Sequence, residues 1–294
     1  MQENNQRIGW INGLIGVILF SGSMPATKLA VMDLSPTFVT VTRAGIAGLL
    51  ALSALIIFKE KRPSKAQMGS LLLIAISVVI AFPLLSALAL KYMTSAHSLI
   101  FVGLLPLSTA LFAVIRGGER PQPLFWVFSL LGALFVMVFA LSKGGSSSWE
   151  GDILMIVAVI FCGLGYAEGA KLSTSLGGWQ VISWALVIAL PFMLPLMYYL
   201  MPAHLELVPS KAWMGLAYIS VFSMLVGFIF WYRGLAQGGI AAVGQLQLLQ
   251  PFFGLGLAAS ILHEHVNIWL VATMLAVILC VAGSKKFAHR KVIA

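Results

Sequence analysis

The sequence predicts an all-α integral membrane protein whose ten transmembrane helices form two inverted five-helix repeats, with both termini in the cytoplasm. Three observations carry this prediction: the composition, the regular succession of apolar runs and the placement of the basic residues. Of the 294 residues, 60% are hydrophobic and only 9% are charged, and the mean hydropathy is +1.00. An average soluble domain is about one quarter charged, so the main solvent of this chain must be lipid.

The apolar runs have the length of membrane-spanning helices, which is about 20 residues. Runs such as LLLIAISVVIAF do not alternate between apolar and polar residues, so they are not strands of a β-barrel. The first run is too long for a signal-peptide core and is expected to be a retained helix. Links rich in Gly, Pro, Ser or charge separate the runs. The predicted helices are 8–31, 35–58, 67–90, 94–115, 123–142, 151–172, 179–200, 211–235, 239–262 and 266–286.

The basic residues predict the orientation, because cytoplasmic loops of membrane proteins are enriched in Lys and Arg. With the N-terminus inside, 13 of the 18 basic residues fall on the cytoplasmic side and three fall outside. The remaining two, Lys28 and Arg43, lie within helices. The net charge of +9 therefore reflects topology, and no nucleic-acid partner is expected. A bacterial-type cytoplasmic (inner) membrane is the predicted location.

Cofactor and catalytic motifs are not found in the sequence. The two cysteines, Cys162 and Cys280, each lie in an apolar run and are interpreted as packing residues. His263, Glu264 and His265 are consecutive, and this spacing does not place both imidazoles on one helix face as a zinc motif requires. No phosphate loop or nucleophile–base pair occurs, so neither a metal, a cofactor nor catalytic residues are predicted.

The two halves of the chain resemble each other. Pro106 precedes Glu119 by 13 residues and Pro251 precedes Glu264 by 13 residues, so the two pairs are related by an offset of 145. ALALKYMTSA aligns with YRGLAQGGIA at the same offset. This repetition predicts a duplicated chain, with one repeat over 1–145 and the other over 146–294. Because each repeat has five helices, the second must enter the membrane from the opposite side.

The chain resembles the drug/metabolite transporter superfamily, EamA type. The resemblance rests on ten helices in about 300 residues, the five-plus-five repeat, the proline and glutamate spacing, and the arginine in PTFVTVTRAG. It covers essentially the whole chain and implies a carrier that exports amino acids, other small metabolites or drugs. The small four-helix multidrug relatives keep a glutamate in their first helix, but INGLIGVILFSGSMPATKLAV has no acid. Proton antiport by such a carboxylate is therefore in doubt.

Polar residues of the ninth predicted helix are candidates for substrate binding. On a helical wheel, Gln247 and Gln250 lie about 60° apart with Gly254 between them, whereas Gln245 points toward a neighbouring helix. Glutamine amides offer donors and acceptors without charge, which suits a polar or zwitterionic substrate. The alternative is that they join helices by hydrogen bonds. Arg43, in the second helix, should face a wet cavity or a partner, and Trp231 is a further candidate for substrate contact.

Three more residues are candidates for coupling or gating. Glu168 is the one acid clearly within a predicted helix. It could pair with Arg43 or Lys28, bind a substrate amine or carry a proton, but a surface ion pair with Lys171 is also open. Lys28 could instead snorkel to the interface, and His97 could be an interfacial hydrogen-bonding residue.

The function expected from these observations is export of a small metabolite such as an amino acid by alternating access, with the bilayer and a small molecule as the only predicted partners. Proton coupling, exchange and facilitated diffusion remain open, as does the choice between a monomer and a homo-oligomer. An efflux carrier for drugs or aromatic compounds is the alternative. A membrane-embedded enzyme is less favoured, because no paired carboxylates or metal ligands are found in the spans.

Overall fold

The computed structural model describes residues 2–142, 148–254 and 268–288, and nearly all of them are helical. Six helical runs in this part of the chain are long and apolar enough to cross a membrane: Asn5–Asp33, Pro36–Ile57, Lys65–Tyr92, Trp149–Leu176, Gly178–Tyr199 and Ser210–Gly238. Shorter apolar helices accompany them. The prediction of an all-α, multi-pass membrane protein is confirmed.

The first half of the chain forms helices that are interrupted at several points. Their bounds are α1 Gln2–Ser21, α2 Ser23–Asp33, α3 Pro36–Ile57, α4 Lys65–Ile74, α5 Phe82–Tyr92, α6 Ser95–Val102, α7 Leu105–Ile115 and α8 Pro123–Ser142. A π-helical segment, Ala75–Ala81, joins α4 to α5 without a break.

The second half begins with two long helices and then becomes irregular. The bounds are α9 Trp149–Leu176, α10 Gly178–Tyr199, α11 Ser210–Tyr218, α12 Gly227–Gly238, α13 Ile240–Gly244 and α14 Ile268–Phe287. Ile219–Val226 is a π-helical segment between α11 and α12, and Leu205–Leu207 is a short 3₁₀ turn. The 3₁₀ segment Gln245–Leu249 follows α13, and residues 250–254 are helical again.

Local sequence explains where several helices begin. Ser35 accepts a hydrogen bond from the Phe38 amide at 3.2 Å, and Pro36 stands at the first position of α3, where its missing N–H costs nothing. Ser148 similarly caps α9. Gly239 has φ 92°, a conformation that glycine adopts without strain, and this residue starts α13 directly after α12.

Helices of the two halves pack against each other through the centre of the molecule. The principal pairs are α1 with α12, α3 with α10, α8 with α14, and α9 with both α5 and α7. The α1–α12 contact depends on glycine, because a Cβ atom on Gly9 would lie 2.5 Å from the backbone nitrogen of Gly238. Small residues that let backbones approach are typical of helix contacts in membranes.

One end of the bundle, here called the basic face, collects side chains from both halves. Arg116 pairs with Glu168, Gln180 donates to Glu60 at 3.2 Å, and the Lys285 Nζ lies 4.3 Å from the ring centre of Trp10. Lys171 and Arg233 line surface depressions at the same end. The sequence predicts this face to be cytoplasmic.

The main departure from the predicted helices is in their continuity. The segment 94–115 was expected to be one helix, but it breaks between Val102 and Leu105, one residue before Pro106. Proline has no N–H to donate and its ring clashes with the preceding turn, so the helix restarts there. The segment 239–262 is interrupted in the same way before Pro251, as far as residue 254, where the description stops.

Candidate functional site

A small closed cavity lies at the centre of the molecule, where helices of both halves meet. Its volume is about 30 Å³. It is lined by residues of α1, α2, α3, α5, α6, α7, α9, α12 and the irregular segments between them: Phe20, Ser23, Met24, Arg43, Val78, Phe82, Val102, Leu105, Tyr166, Ser223, Phe228 and Gln250. This volume accommodates water but no organic molecule of metabolite size.

The cavity coincides with the irregular parts of the helices. Ser23 and Met24 follow the break between α1 and α2, Val78 and Ser223 lie in the two π-helical segments, and the break between α6 and α7 contributes two lining residues. Gln250 directly follows the 3₁₀ segment. Discontinuous helices and π-helical turns in membrane proteins are tolerated where they surround a functional cavity.

Several lining residues occupy equivalent positions in the two halves. Val78 and Ser223 are 145 residues apart, as are Leu105 and Gln250, and Ser23 and Tyr166 are 143 apart. The first two offsets equal the one that relates the two halves in sequence, and the third differs from it by two residues. In each of these pairs the two halves contribute different chemistry, so the cavity is pseudosymmetric in position and asymmetric in polarity.

Among the described residues that line the cavity, Arg43 is the one that carries a charge. Its side chain is buried, and one terminal nitrogen donates to the Ser223 hydroxyl at 3.2 Å. Ser223 also accepts from Ser23 at 2.7 Å. The Arg43 Nε has no hydrogen-bond partner, and none of the ion pairs between described residues includes Arg43. The predicted pairing of Arg43 with Glu168 is not formed.

The three glutamines of QLQLLQP have different environments. Gln250 lines the cavity; its Nε2 donates to the Phe20 carbonyl at 3.2 Å, and its Oε1 has no partner. Gln247 is fully buried beside the Tyr166 hydroxyl, with neither amide atom in a well-formed hydrogen bond. Gln245 accepts from Ser129 of α8 at 2.6 Å, which agrees with its predicted direction toward a neighbouring helix.

Gly254 does not belong to the cavity wall. A Cβ on Gly254 would lie 3.1 Å from the Ser21 carbonyl oxygen, so this glycine allows close packing against the end of α1. The stripe expected from the helical wheel is only partly formed, because Gln247 is buried beside Tyr166 and Gly254 packs against the end of α1. Of the three stripe residues, Gln250 is the one that reaches the cavity.

Aromatic rings form the wall of the cavity toward the basic face. Tyr166 and Phe228 line it and their ring centres lie 5.8 Å apart, while Phe20 packs edge-on against Phe228 at 5.2 Å. Trp231 lies behind them, fully buried, 5.4 Å from Tyr166 and with its indole N–H unpaired. Trp231 therefore supports the wall and does not itself line the cavity in this conformation.

Glu168 lies between the cavity and the basic face, two residues beyond Tyr166. Only 3% of its side chain is exposed. Its carboxylate accepts from the Arg116 Nε at 2.9 Å and from the Ser70 hydroxyl. Because Arg116 ends α7, Ser70 belongs to α4 and Glu168 belongs to α9, this group ties the two halves together. The interpretation as a surface pair with Lys171 is therefore wrong, since the carboxylate is buried and its bonds go elsewhere.

The other two gating candidates lie at the opposite end of the bundle. Lys28 donates to the carbonyl oxygens of Leu90 and Met93, at 2.6 and 3.2 Å, and so caps the end of α5. The His97 Nε2 lies 3.4 Å from a carboxylate oxygen of Asp152, which joins α6 to α9. Neither residue lines the cavity. Lys28 holds two first-half helices together, whereas the contact of His97 with Asp152 joins the two halves.

Glu119, the glutamate of the first copy of the repeated proline and glutamate spacing, caps a helix. Its two carboxylate oxygens accept from the amides of Ile240 and Ala241, at 2.6 and 2.9 Å, and so cap the start of α13 in the other half. Glu119 therefore stabilises a helix end in the other half. The corresponding Glu264, with His263 and His265, lies outside the described residues.

Sequence reasoning missed Ser223 and Arg116. Ser223 could have been found from the repeat, because it is the hydroxyl residue at the position equivalent to Val78 and it stands one turn after Ser220 in an apolar run. Nothing in the sequence distinguished Arg116 from the other basic residues of the loops. Among the described residues, no group of three His, Cys, Asp or Glu side chains could hold a metal ion.

Comparison with known proteins agrees with this architecture. The EamA-like transporter family matches the chain twice, over residues 7–141 and 149–284. The uncharacterized transporter YdeK of Bacillus subtilis strain 168 is 61% identical over 285 residues, which cover 97% of this chain and 99% of the relative. An uncharacterized transporter of Archaeoglobus fulgidus is 24% identical over 91% of this chain and 92% of its own.

The fold is also found among solved structures. One crystal structure, whose title gives no function, superposes with a TM-score of 0.74 over 98% of both chains at 16% sequence identity. This similarity concerns the fold alone. The double family match and the 61% identity with a named transporter concern the chain itself. This chain is therefore a member of the EamA-like transporter family.

Proposed function

We propose that this transporter exports a small polar metabolite, such as an amino acid, across the cytoplasmic membrane by alternating access of two inverted five-helix halves. The observation that carries the proposal is the central cavity, which is lined from both halves at the points where their helices are irregular. Substrate sites of inverted-repeat transporters lie near the midplane at such discontinuities. The pairing of α1 with α12 and of α9 with α5 supports a pseudo-two-fold arrangement of the halves.

The size of the cavity supports a mechanism with moving halves. A volume of about 30 Å³ admits water only, so a metabolite can enter only after helices separate. Contacts across the halves close the cavity at both ends: Arg116 with Glu168 toward the basic face, and His97 with Asp152 at the opposite end. Alternating access requires that these two sets of contacts break in turn.

Glu168 is the proposed site for coupling or gating. Its carboxylate is buried, its ion pair with Arg116 joins α7 to α9, and it lies two residues from the cavity wall at Tyr166. Protonation of the carboxylate would remove the charge that holds Arg116. Coupling to a proton gradient and simple exchange remain two forms of the proposed transport, and they differ in whether the Glu168 charge changes during the cycle.

An efflux carrier for aromatic compounds is the alternative, and the aromatic cavity wall favours it. Phe20, Phe82, Tyr166 and Phe228 offer stacking surfaces to a flat ligand. Among the described residues, the lining includes Arg43 and no acid, which disfavours the cationic members of this class. The two functions therefore differ in whether small polar compounds or bulky aromatic ones compete for the cavity.

Counterflow in proteoliposomes tests the proposal. Vesicles with the full chain are preloaded with mixed unlabelled amino acids, and single labelled amino acids are added outside, with and without a proton gradient. Accumulation of a label without a gradient would support an amino-acid carrier that exchanges substrates. If folded protein accumulates no amino acid but concentrates an aromatic dye, the alternative function is correct.

A further inference from the structure

We propose that the ligand of the central cavity is a small carboxylic acid whose carboxylate binds Arg43 and which also carries a hydrogen-bond donor. This inference rests on the proposed transport function and specifies its substrate class. It rests on the hydrogen bonds and ion pairs that the cavity residues form and on those that they lack.

The first observation is the buried charge without a counter-charge. Arg43 is 5% exposed, and within the described part of the chain it donates one hydrogen bond, to the neutral Ser223 hydroxyl. The Nε is unpaired, and no acid of the described chain forms an ion pair with it. A buried charge is unfavourable unless it is paired. The unpaired edge of a guanidinium matches a carboxylate in two parallel hydrogen bonds.

The second observation is the set of neutral polar groups around the same cavity. The Gln250 Oε1 is buried without a donor, although its Nε2 is fixed by the Phe20 carbonyl. An amide oxygen held in this way can accept a hydrogen bond from a ligand amine or hydroxyl. The unpaired Arg43 Nε–H needs a hydrogen-bond acceptor, and the unpaired Gln250 Oε1 needs a donor. An amino acid or a hydroxy acid provides both on one molecule.

The third observation is the sign of the charge at the basic face. Two depressions lie there, with volumes of about 270 and 290 Å³. The first is lined by both Lys171 and Glu119, whereas Arg233 is the charged residue among the described residues that line the second. A cleft lined by one sign of charge concentrates ligands of the opposite sign. Arg43 inside and Arg233 outside therefore favour an anionic group over a cationic one.

Competition in proteoliposome counterflow tests this substrate class. The labelled probes are single amino acids, lactate, malate and the cation ethidium. For each amino acid that accumulates, its methyl ester and its decarboxylated amine are added as competitors at equal concentration; for lactate or malate, the fully methylated ester is added. We expect accumulation of carboxylates, and at least tenfold weaker competition by the ester and the amine than by the parent acid.

Variants connect the selectivity to Arg43. Arg43→Gln should lower uptake of the acid at least tenfold and abolish the preference of the acid over its ester, whereas Arg43→Lys should keep that preference. A merely structural arginine would change the amount of folded protein but not the acid-to-ester ratio. The competition in wild-type protein needs no variant, so it remains decisive if Arg43→Gln fails to fold.

The outcomes separate the two proposals. Equal competition by ester, amine and acid would overturn the carboxylate assignment while leaving a metabolite carrier in place. An unchanged acid preference in folded Arg43→Gln would overturn the role of Arg43. Accumulation of ethidium alone, or of no probe by folded protein, would contradict the proposed function and the substrate class together.

Discussion

At the scale of single residues, Gln250 is the cavity group that can be changed with the least disturbance. Leu105 occupies the equivalent position in the other half, so a leucine of similar volume is compatible with this wall. Gln250→Leu removes the free Oε1 and the bond to Phe20. Because a hydrogen bond contributes about 0.5–1.5 kcal/mol, we expect substrate uptake to fall by up to about tenfold with little change in Tm. Counterflow kinetics and thermal unfolding in detergent measure both.

Gln245→Leu is the matched control, since it makes the same change five residues earlier in the chain. Gln245 bonds Ser129 and does not line the cavity. It should lower the Tm by leaving a buried hydroxyl unpaired, with uptake per folded protein unchanged. If Gln250→Leu transports normally, Gln250 joins helices and does not bind substrate.

Glu168→Gln separates coupling from packing, because it keeps the side-chain shape and removes the charge. If Glu168 carries the coupling proton, the variant should lose all dependence of uptake on a pH gradient while exchange continues. Uptake is measured in vesicles with and without an imposed gradient. A dependence that persists would exclude Glu168 as the coupling group.

Glu60→Gln is the control for this change. Glu60 is another carboxylate near the basic face, and its partner among the described residues is the neutral Gln180. Neutralising it should alter neither the gradient dependence nor exchange. A similar loss in both variants would point to a general effect of surface charge.

How much of the site follows from sequence differs between residues. Arg43 and Gln250 could be identified because a charge or an amide in an apolar helix is costly and needs a reason. The partner of Glu168 could not be identified from the sequence. Arg116 is 52 residues away, and its proximity to Glu168 depends on how α7 packs on α9. Gly254 and Trp231 were placed in the cavity by a helical wheel and by residue type, which do not resolve neighbouring helix faces.

At the scale of elements, the Glu119 cap links the loop after α7 to the start of α13. Glu119→Ala leaves the amides of Ile240 and Ala241 without acceptors. Loss of a helix cap costs about 0.5–2 kcal/mol, so we expect the Tm to fall by a few degrees. Arg120→Ala, which changes an exposed neighbour, should leave the Tm unchanged. An unaltered Tm in Glu119→Ala would show that the cap does not contribute to stability.

The sequence predicts the existence of the helices better than their internal geometry. Apolar runs of about 20 residues identify spans, because nothing else satisfies the backbone in lipid. Pro106 and Pro251 mark the breaks before α7 and before residue 250. The π-helical segments Ala75–Ala81 and Ile219–Val226 have no such marker. Their equivalent positions in the two halves show that they belong to the repeated unit.

At the scale of the whole molecule, the repeat could be predicted because matching residues recur at a constant offset, whereas the closed conformation could not. Closure depends on contacts between halves, and such contacts have no local sequence pattern. The Glu60–Gln180 hydrogen bond is one of them: it joins the link after α3 to α10 across the basic face. Neither residue lines the cavity. The pair is therefore suited to testing whether the halves move.

A cross-link at this position should stop transport. Glu60→Cys with Gln180→Cys, joined by a short bifunctional methanethiosulfonate, would hold α3 and α10 together at the basic face. If the halves separate there in each cycle, we expect counterflow to fall at least tenfold and to recover when the link is reduced. Cys162 and Cys280 are buried, so the treated wild-type protein reports the background reaction.

The control pair tests the reagent without joining the halves. Ser64→Cys with Gln67→Cys replaces a hydrogen-bonded pair at the start of α4, within the first half, and its cross-link should leave counterflow unchanged. If the Glu60–Gln180 cross-link also leaves counterflow unchanged, α3 and α10 stay together throughout the cycle. Opening toward the basic face would then have to occur between α7 and α9, where Arg116 and Glu168 close it.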